Sequence, residues 1–91
     1  MIVYIAGKIT GDPDYREKFA RAEAAWRAAG HTTINPARLP EGLRGKDYMR
    51  ICMAMLEAAD AIVLLQDWQE SKGARIEKRL AEYTGKTIIY D

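Results

Sequence analysis

The chain has 91 residues, 48% of them apolar, with 14 Lys and Arg against 13 Asp and Glu. That length makes one domain, residues 1–91, with modest area to bury, so a homodimer or larger homo-oligomer is expected. A formal net charge of +1 argues against a nucleic-acid polymer as partner, and the lone Cys52 excludes an intrachain disulfide framework and a clustered thiolate metal site.

The N-terminal MIVYIAGK is too short for a signal peptide and lacks its basic leader, and no apolar run reaches membrane-spanning length. A soluble, cytoplasmic protein without membrane contact is expected. Residues 2–6 are β-rich and run into the loop GKITG at 7–11. A turn at Asp12, Pro13 and Asp14 leads to a helix over 15–29, with Phe19, Ala22, Trp26 and Ala29 on one face and Gly30 as its stop. The segment TTI at 32–34 reads as a second strand. Residues 35–45, with two prolines and two glycines, form the one long loop. A second helix is expected from about 47 to 59, its inner face marked by Tyr48, Ile51, Cys52, Met55 and Ala59.

The run AIVLL at 61–65 is apolar throughout, as in a strand covered on both faces of a parallel sheet. A third helix over 72–83 turns Ile76, Leu80 and Tyr83 inward, and TIIY at 87–90 is the last strand. The order βαβαβαβ implies a three-layer α/β sandwich with a mainly parallel four-stranded sheet. Ligands in this architecture sit beyond the carboxyl ends of the strands, a rim that gathers residues 7–11, the loop around Asn35 and residues 66–77.

Several side chains on that rim carry both a chemical and a structural reading. Gly7, Lys8, Ile9, Thr10 and Gly11 either let amides approach a phosphate, with Lys8 adding charge, or form only a tight turn. Ser71 is a good cap for the third helix. Gly73, in its first turn, costs roughly 0.5–1 kcal/mol relative to alanine, which a close ligand or an irregular loop would each explain. Glu77 lies one step from the apolar face of that helix. It is either a surface glutamate or a carboxylate able to attack an anomeric carbon, chemistry that needs no metal and no redox cofactor. Trp68, beside Asp67 and Glu70, can stack on a base or pack on a neighbouring helix or subunit. Tyr4 either orients a carboxylate or is a core tyrosine. His31 falls on the opposite rim, and Cys52 reads as a buried structural thiol.

Taken in order, GKITG at 7–11, AADAIV at 58–63, SKGARIE at 71–77 and GKTII at 85–89 resemble the nucleoside 2-deoxyribosyltransferase superfamily, most closely its short DUF4406 group. The resemblance spans nearly the whole chain and is weakest over residues 31–46. It implies a flavodoxin-like parallel sheet, a homo-oligomer, and cleavage of the N-glycosidic bond of a 2-deoxynucleoside or its 5′-monophosphate. By the same resemblance Glu77 is the nucleophile and Tyr4 the aromatic near the reacting sugar. Ser71 and Gly73 match residues that hold a 5′-phosphate, and Gly7 to Gly11 match the glycine-rich loop.

Three positions depart from the pattern. Lys8 and Thr10 stand where the monophosphate hydrolases carry Ser and Arg. Cys52 stands eight residues before Asp60, where the enzymes place an assisting aspartate, and Asp47 or Asp67 would have to compensate. Three functions follow as expectations: a glycosidase or deoxyribosyltransferase using Glu77, a nucleotide-binding protein without turnover, and a structural or regulatory oligomer. Asp67 and Trp68 join the expected contacts to substrate.

Overall fold

A computed structural model describes residues 1–91. Four strands alternate with three helices: β1 (Ile2–Ala6), α1 (Tyr15–Ala28), β2 (Thr32–Ile34), α2 (Gly45–Glu57), β3 (Ala61–Leu64), α3 (Lys72–Tyr83) and β4 (Thr87–Tyr90). Short 3-10 turns at Pro36–Arg38 and Trp68–Glu70 precede α2 and α3. All strands are parallel, in the order β2-β1-β3-β4, the flavodoxin-like arrangement.

That order decides which face each helix covers. The chain steps one way from β1 to β2, then back across β1 to β3 and onward to β4. Right-handed crossovers therefore put α1 on one face and both α2 and α3 on the other. Alternation along β1 serves both layers. Tyr4 and Ala6 pack with Cys52, Leu56, Ala74 and Ala81 of α2 and α3, while Ile5 packs with Phe19 and Ala22 of α1. Every residue of β3 is buried, as expected for a strand covered on both sides. No helix is long and apolar enough to cross a membrane.

The helix faces differ from the sequence expectation. In α3 the buried residues are Ala74, Glu77 and Ala81, whereas Ile76 is 40% and Tyr83 90% exposed. Small alanines let the helix approach the sheet closely, and that proximity decides the face over the larger apolar side chains. In α2, Cys52 and Leu56 point inward and Ile51 is exposed. The helix also begins at Gly45, two residues earlier than expected, and ends before Ala59. Along α1, Phe19 and Ala22 are buried as expected, Trp26 is half-buried against His31, and Ala29 is exposed. Glu23 is buried there instead. Burial alone would raise its pKa, but bonds from Arg38, Asn35 and Thr33 outweigh that and hold it below the usual carboxylate range.

The long loop is partly ordered by that carboxylate. Asn35 caps the first 3-10 turn through the Ala37 amide at 2.9 Å, and Glu23 holds Asn35 and Arg38 from below. At the end of β1 the constraint is steric. A Cβ on Gly7 would lie 2.9 Å from Leu65 Cδ1 and 3.0 Å from Leu65 Cβ, so only glycine lets the chain leave β1 against the end of β3. Gly7→Ala should therefore lower stability by about 1–3 kcal/mol in urea denaturation, the usual cost of overpacking. An unchanged midpoint would show that Leu65 yields freely.

Candidate functional site

The loops after β1 and β3 leave toward opposite faces of the sheet, and the crevice between them is where ligands bind in open α/β folds. A cleft of about 330 Å³ lies there. Tyr4 and Ala6 line it from β1, with Gly7, Ile9 and Thr10 from the following loop. Gly45, Tyr48, Met49 and Cys52 line it from α2, and Ser71, Gly73, Ala74 and Glu77 from α3. Because Gly45 and Gly73 sit in the first turns of their helices, two positive helix termini border one cavity.

Glu77 is 6% exposed, and its only hydrogen bond comes from the Tyr4 hydroxyl, which donates to Oε2 at 2.5 Å. No cation pairs with it. Burial raises its pKa to about 7, only partly offset by the Tyr4 bond. Burial likewise raises Tyr4 well above the ordinary phenol, and the Glu77 charge adds to the shift. Cys52, also buried, is raised by desolvation, as is Tyr48, whose hydroxyl donates to the Pro36 carbonyl at 3.2 Å.

Of the residues singled out in the sequence, Tyr4, Gly7, Ile9, Thr10, Ser71, Gly73 and Glu77 converge on this cleft. Lys8, Gly11, Asp67 and Trp68 do not line it. Lys8 Nζ turns to Glu70 at 3.3 Å, and Gly11 takes a positive φ of 83° in the turn beyond. The Asp67 carboxylate accepts from the Lys8 amide at 3.1 Å and from Lys18 Nζ. Trp68 packs between the Tyr90 ring, 6.2 Å away, and Lys78 Nζ, 5.5 Å from its centroid. Asp47, considered as a stand-in for the carboxylate absent at Cys52, pairs with Arg44 at 2.6 Å and does not reach the cleft. Asp60 accepts from the Ile2 amide at 2.8 Å, at the amino end of the sheet.

Gly73 is helical, so an irregular loop does not explain it. A Cβ there would meet Met49 Cε at 3.1 Å, the end of a flexible side chain, so glycine makes room for Met49 where α2 and α3 meet. Ser71 caps α3 as expected, accepting from the Ala74 amide at 3.1 Å. The sequence carried no signal for Lys18. Its ammonium bonds Asp12 at 2.6 Å, the Lys8 carbonyl at 2.8 Å, and Asp67, fastening the 7–12 loop to the end of β3. Those bonds outweigh the desolvation of the amine and raise its pKa.

The burial of Glu77 has a stability consequence with a definite sign. A carboxyl raised from 4.5 to about 7 leaves the fold unpenalised below pH 4.5, and the cost accumulates between pH 4.5 and 7. Above that window it is about 3 kcal/mol at 1.36 kcal/mol per unit. Glu77→Gln keeps an acceptor for Tyr4 and never ionises. It should match the wild type near pH 4 and exceed it by about 1–3 kcal/mol at pH 8 in denaturant titrations. A difference that does not change with pH would contradict the buried charge.

The DUF4406 family model, described as a domain of unknown function, matches residues 1–90. No curated protein matches the chain. Among solved structures it is similar to the 2-desoxiribosyltransferase from Leishmania mexicana, with a TM-score of 0.78 at 19% identity. The alignment covers 98% of this chain but 62% of that one, so the chain spans less than two thirds of that protein, and the likeness is one of fold. The chain belongs to the DUF4406 family and has a nucleoside 2-deoxyribosyltransferase-like fold.

Proposed function

We propose that the protein is an N-glycosidase or deoxyribosyltransferase acting on a 2-deoxynucleoside or its 5′-monophosphate, with Glu77 as nucleophile. The observation that carries this reading is a buried carboxylate without a cation, held by Tyr4 in a cleft at the carboxyl end of a parallel sheet. Burial withholds water from the carboxylate, and the single bond from Tyr4 fixes its position without neutralising it. Attack on C1′ forms a glycosyl ester as the C1′–N bond breaks, and water or a second base then resolves the ester. A 5′-phosphate finds no Lys or Arg in the cleft lining, so its recognition falls to the first-turn amides of α2 and α3 with the Ser71 hydroxyl. The named deoxyribosyltransferase of similar fold supports the same chemistry.

A second reading, nucleotide binding without turnover, draws on Cys52 standing in the cleft where a second carboxylate would assist. Free-base release from 2′-deoxynucleosides and their monophosphates separates the two. Under the first reading the wild type releases base and Glu77→Ala falls to the buffer rate; equal rates from both proteins remove Glu77 from the mechanism. Because the nucleophile must be ionised, kcat/KM should rise with pH through about 7 and level off above it. A profile flat from pH 5 to 9 would contradict this assignment.

A homodimer or larger homo-oligomer belongs to the same proposal. It is supported by the exposed Ile51 on α2 and Ile76 and Tyr83 on α3, apolar surface that a second chain would cover. Sedimentation should then give a multiple of the 10.3 kDa chain mass, and a lone 10.3 kDa species at micromolar concentration would end that part of it.

A further inference from the structure

Breaking an N-glycosidic bond requires a place for the electron pair of the departing nitrogen. A neutral base leaves readily only when something protonates it, a task for a general acid worth roughly 10²–10⁴-fold in rate. Glycosidases ordinarily use two carboxyl groups, one at the anomeric carbon and one as the acid. The cleft holds a single carboxyl, Glu77, and no His, Lys, Arg or Asp.

Its remaining acidic protons are already committed or firmly held. The Tyr4 hydroxyl donates to Glu77, and the Tyr48 hydroxyl donates to the Pro36 carbonyl. The Cys52 thiol is 1% exposed, and burial makes it a weaker acid than usual. Ser71 and Thr10 bring hydroxyls that are not acidic near neutral pH. The electrostatic balance points the same way. Glu77 is a buried carboxylate without a cation, and Tyr4, Phe19 and Tyr48 are among the residues lining the same cavity. Aromatic side chains beside one unpaired carboxylate suit a positively charged ring.

We infer that this cleft takes cationic N-glycosides, in which the base is a positively charged heteroaromatic ring such as an N-ribosyl or N-deoxyribosyl pyridinium. The inference rests on the glycosidase reading above and names its substrate class. In the step, a Glu77 carboxylate oxygen bonds to C1′ and the C1′–N bond breaks. The bonding pair passes to the ring nitrogen, and the base departs neutral with no proton transferred. Water then bonds to C1′, Glu77 leaves as carboxylate, and the water's proton goes to solvent. The substrate's own charge holds Glu77 ionised in the complex, which a neutral nucleoside does not do.

The experiment compares 1-(2-deoxyribosyl)nicotinamide with 2′-deoxyguanosine at pH 8, following base release by the wild type, Glu77→Gln and Cys52→Asp. The wild type should cleave the pyridinium with a kcat/KM at least roughly 100-fold higher, and Glu77→Gln should lose both activities. Cys52→Asp supplies an acid and should raise deoxyguanosine cleavage about tenfold or more. If that variant does not fold, the wild-type comparison decides alone. Binding gives a separate readout: 1-methylnicotinamide should bind at least roughly tenfold tighter than uncharged nicotinamide, a preference lost in Glu77→Gln. Glu77-dependent cleavage of deoxyguanosine at a rate similar to the pyridinium overturns the substrate class and leaves the glycosidase reading intact. No base release from either compound overturns that reading and the inference with it.

Discussion

The hydrogen bond from Tyr4 to Glu77 joins a central strand to the helix that covers it, and the site is organised around it. The bond forms because Ala74 and Ala81, one turn to either side of Glu77, are small enough to bring α3 onto the sheet. That close approach also buries the carboxylate, and burial raises its pKa to about 7. Packing and the raised pKa therefore share one cause. An exposed glutamate would be ionised at neutral pH but surrounded by water; a buried one is costly to ionise and, once ionised, poorly solvated. Holding such a group in place is a recognised cost of active sites, where function departs from maximal stability.

Around this pair the fold distributes its supports by topology. Parallel order β2-β1-β3-β4 sends the loops after β1 and β3 to opposite faces, leaving a crevice where α2 and α3 also present their amino ends. The walls are fixed from behind. Lys18 fastens the loop after β1 to Asp12 and Asp67, Gly7 lets that loop leave against Leu65, and Glu23 secures the segment that carries Pro36. Neither Lys18 nor Glu23 lines the cavity, whereas Gly7 does. They set its shape through backbone that they hold.

The charge inside the cavity is as informative as its shape. Basic residues near the rim are turned away from it: Lys8 to Glu70, Lys18 to Asp12 and Asp67, and Arg44 to Asp47. One carboxylate remains within, among tyrosines and a thiol. Under the proposed glycosidase reading, that single carboxylate is what narrows the classes of leaving group the site suits.

Much of the architecture was legible in the sequence because strands, turns and caps are local properties. Four β-rich segments, three intervening helices, the Ser71 cap and the glycine stops follow from patterns a few residues long, and their βαβ alternation dictates a parallel sheet. Glu77 was identifiable through its motif, but its environment was not. Reading α3 by its largest apolar side chains placed Ile76 and Tyr83 inside; the sheet accepted alanines and a glutamate there. Trp68 and Lys8 looked like ligand contacts from their position in the chain, but Tyr90, Lys78 and Glu70 occupy them. Lys18 had no signature, since its partners lie 6, 10 and 49 residues away. Sequence by itself determined the order of elements and singled out Glu77 as a candidate carboxylate. Only tertiary packing decided its burial, its Tyr4 partner and its lack of a cation, because those depend on distances between segments that local pattern does not encode.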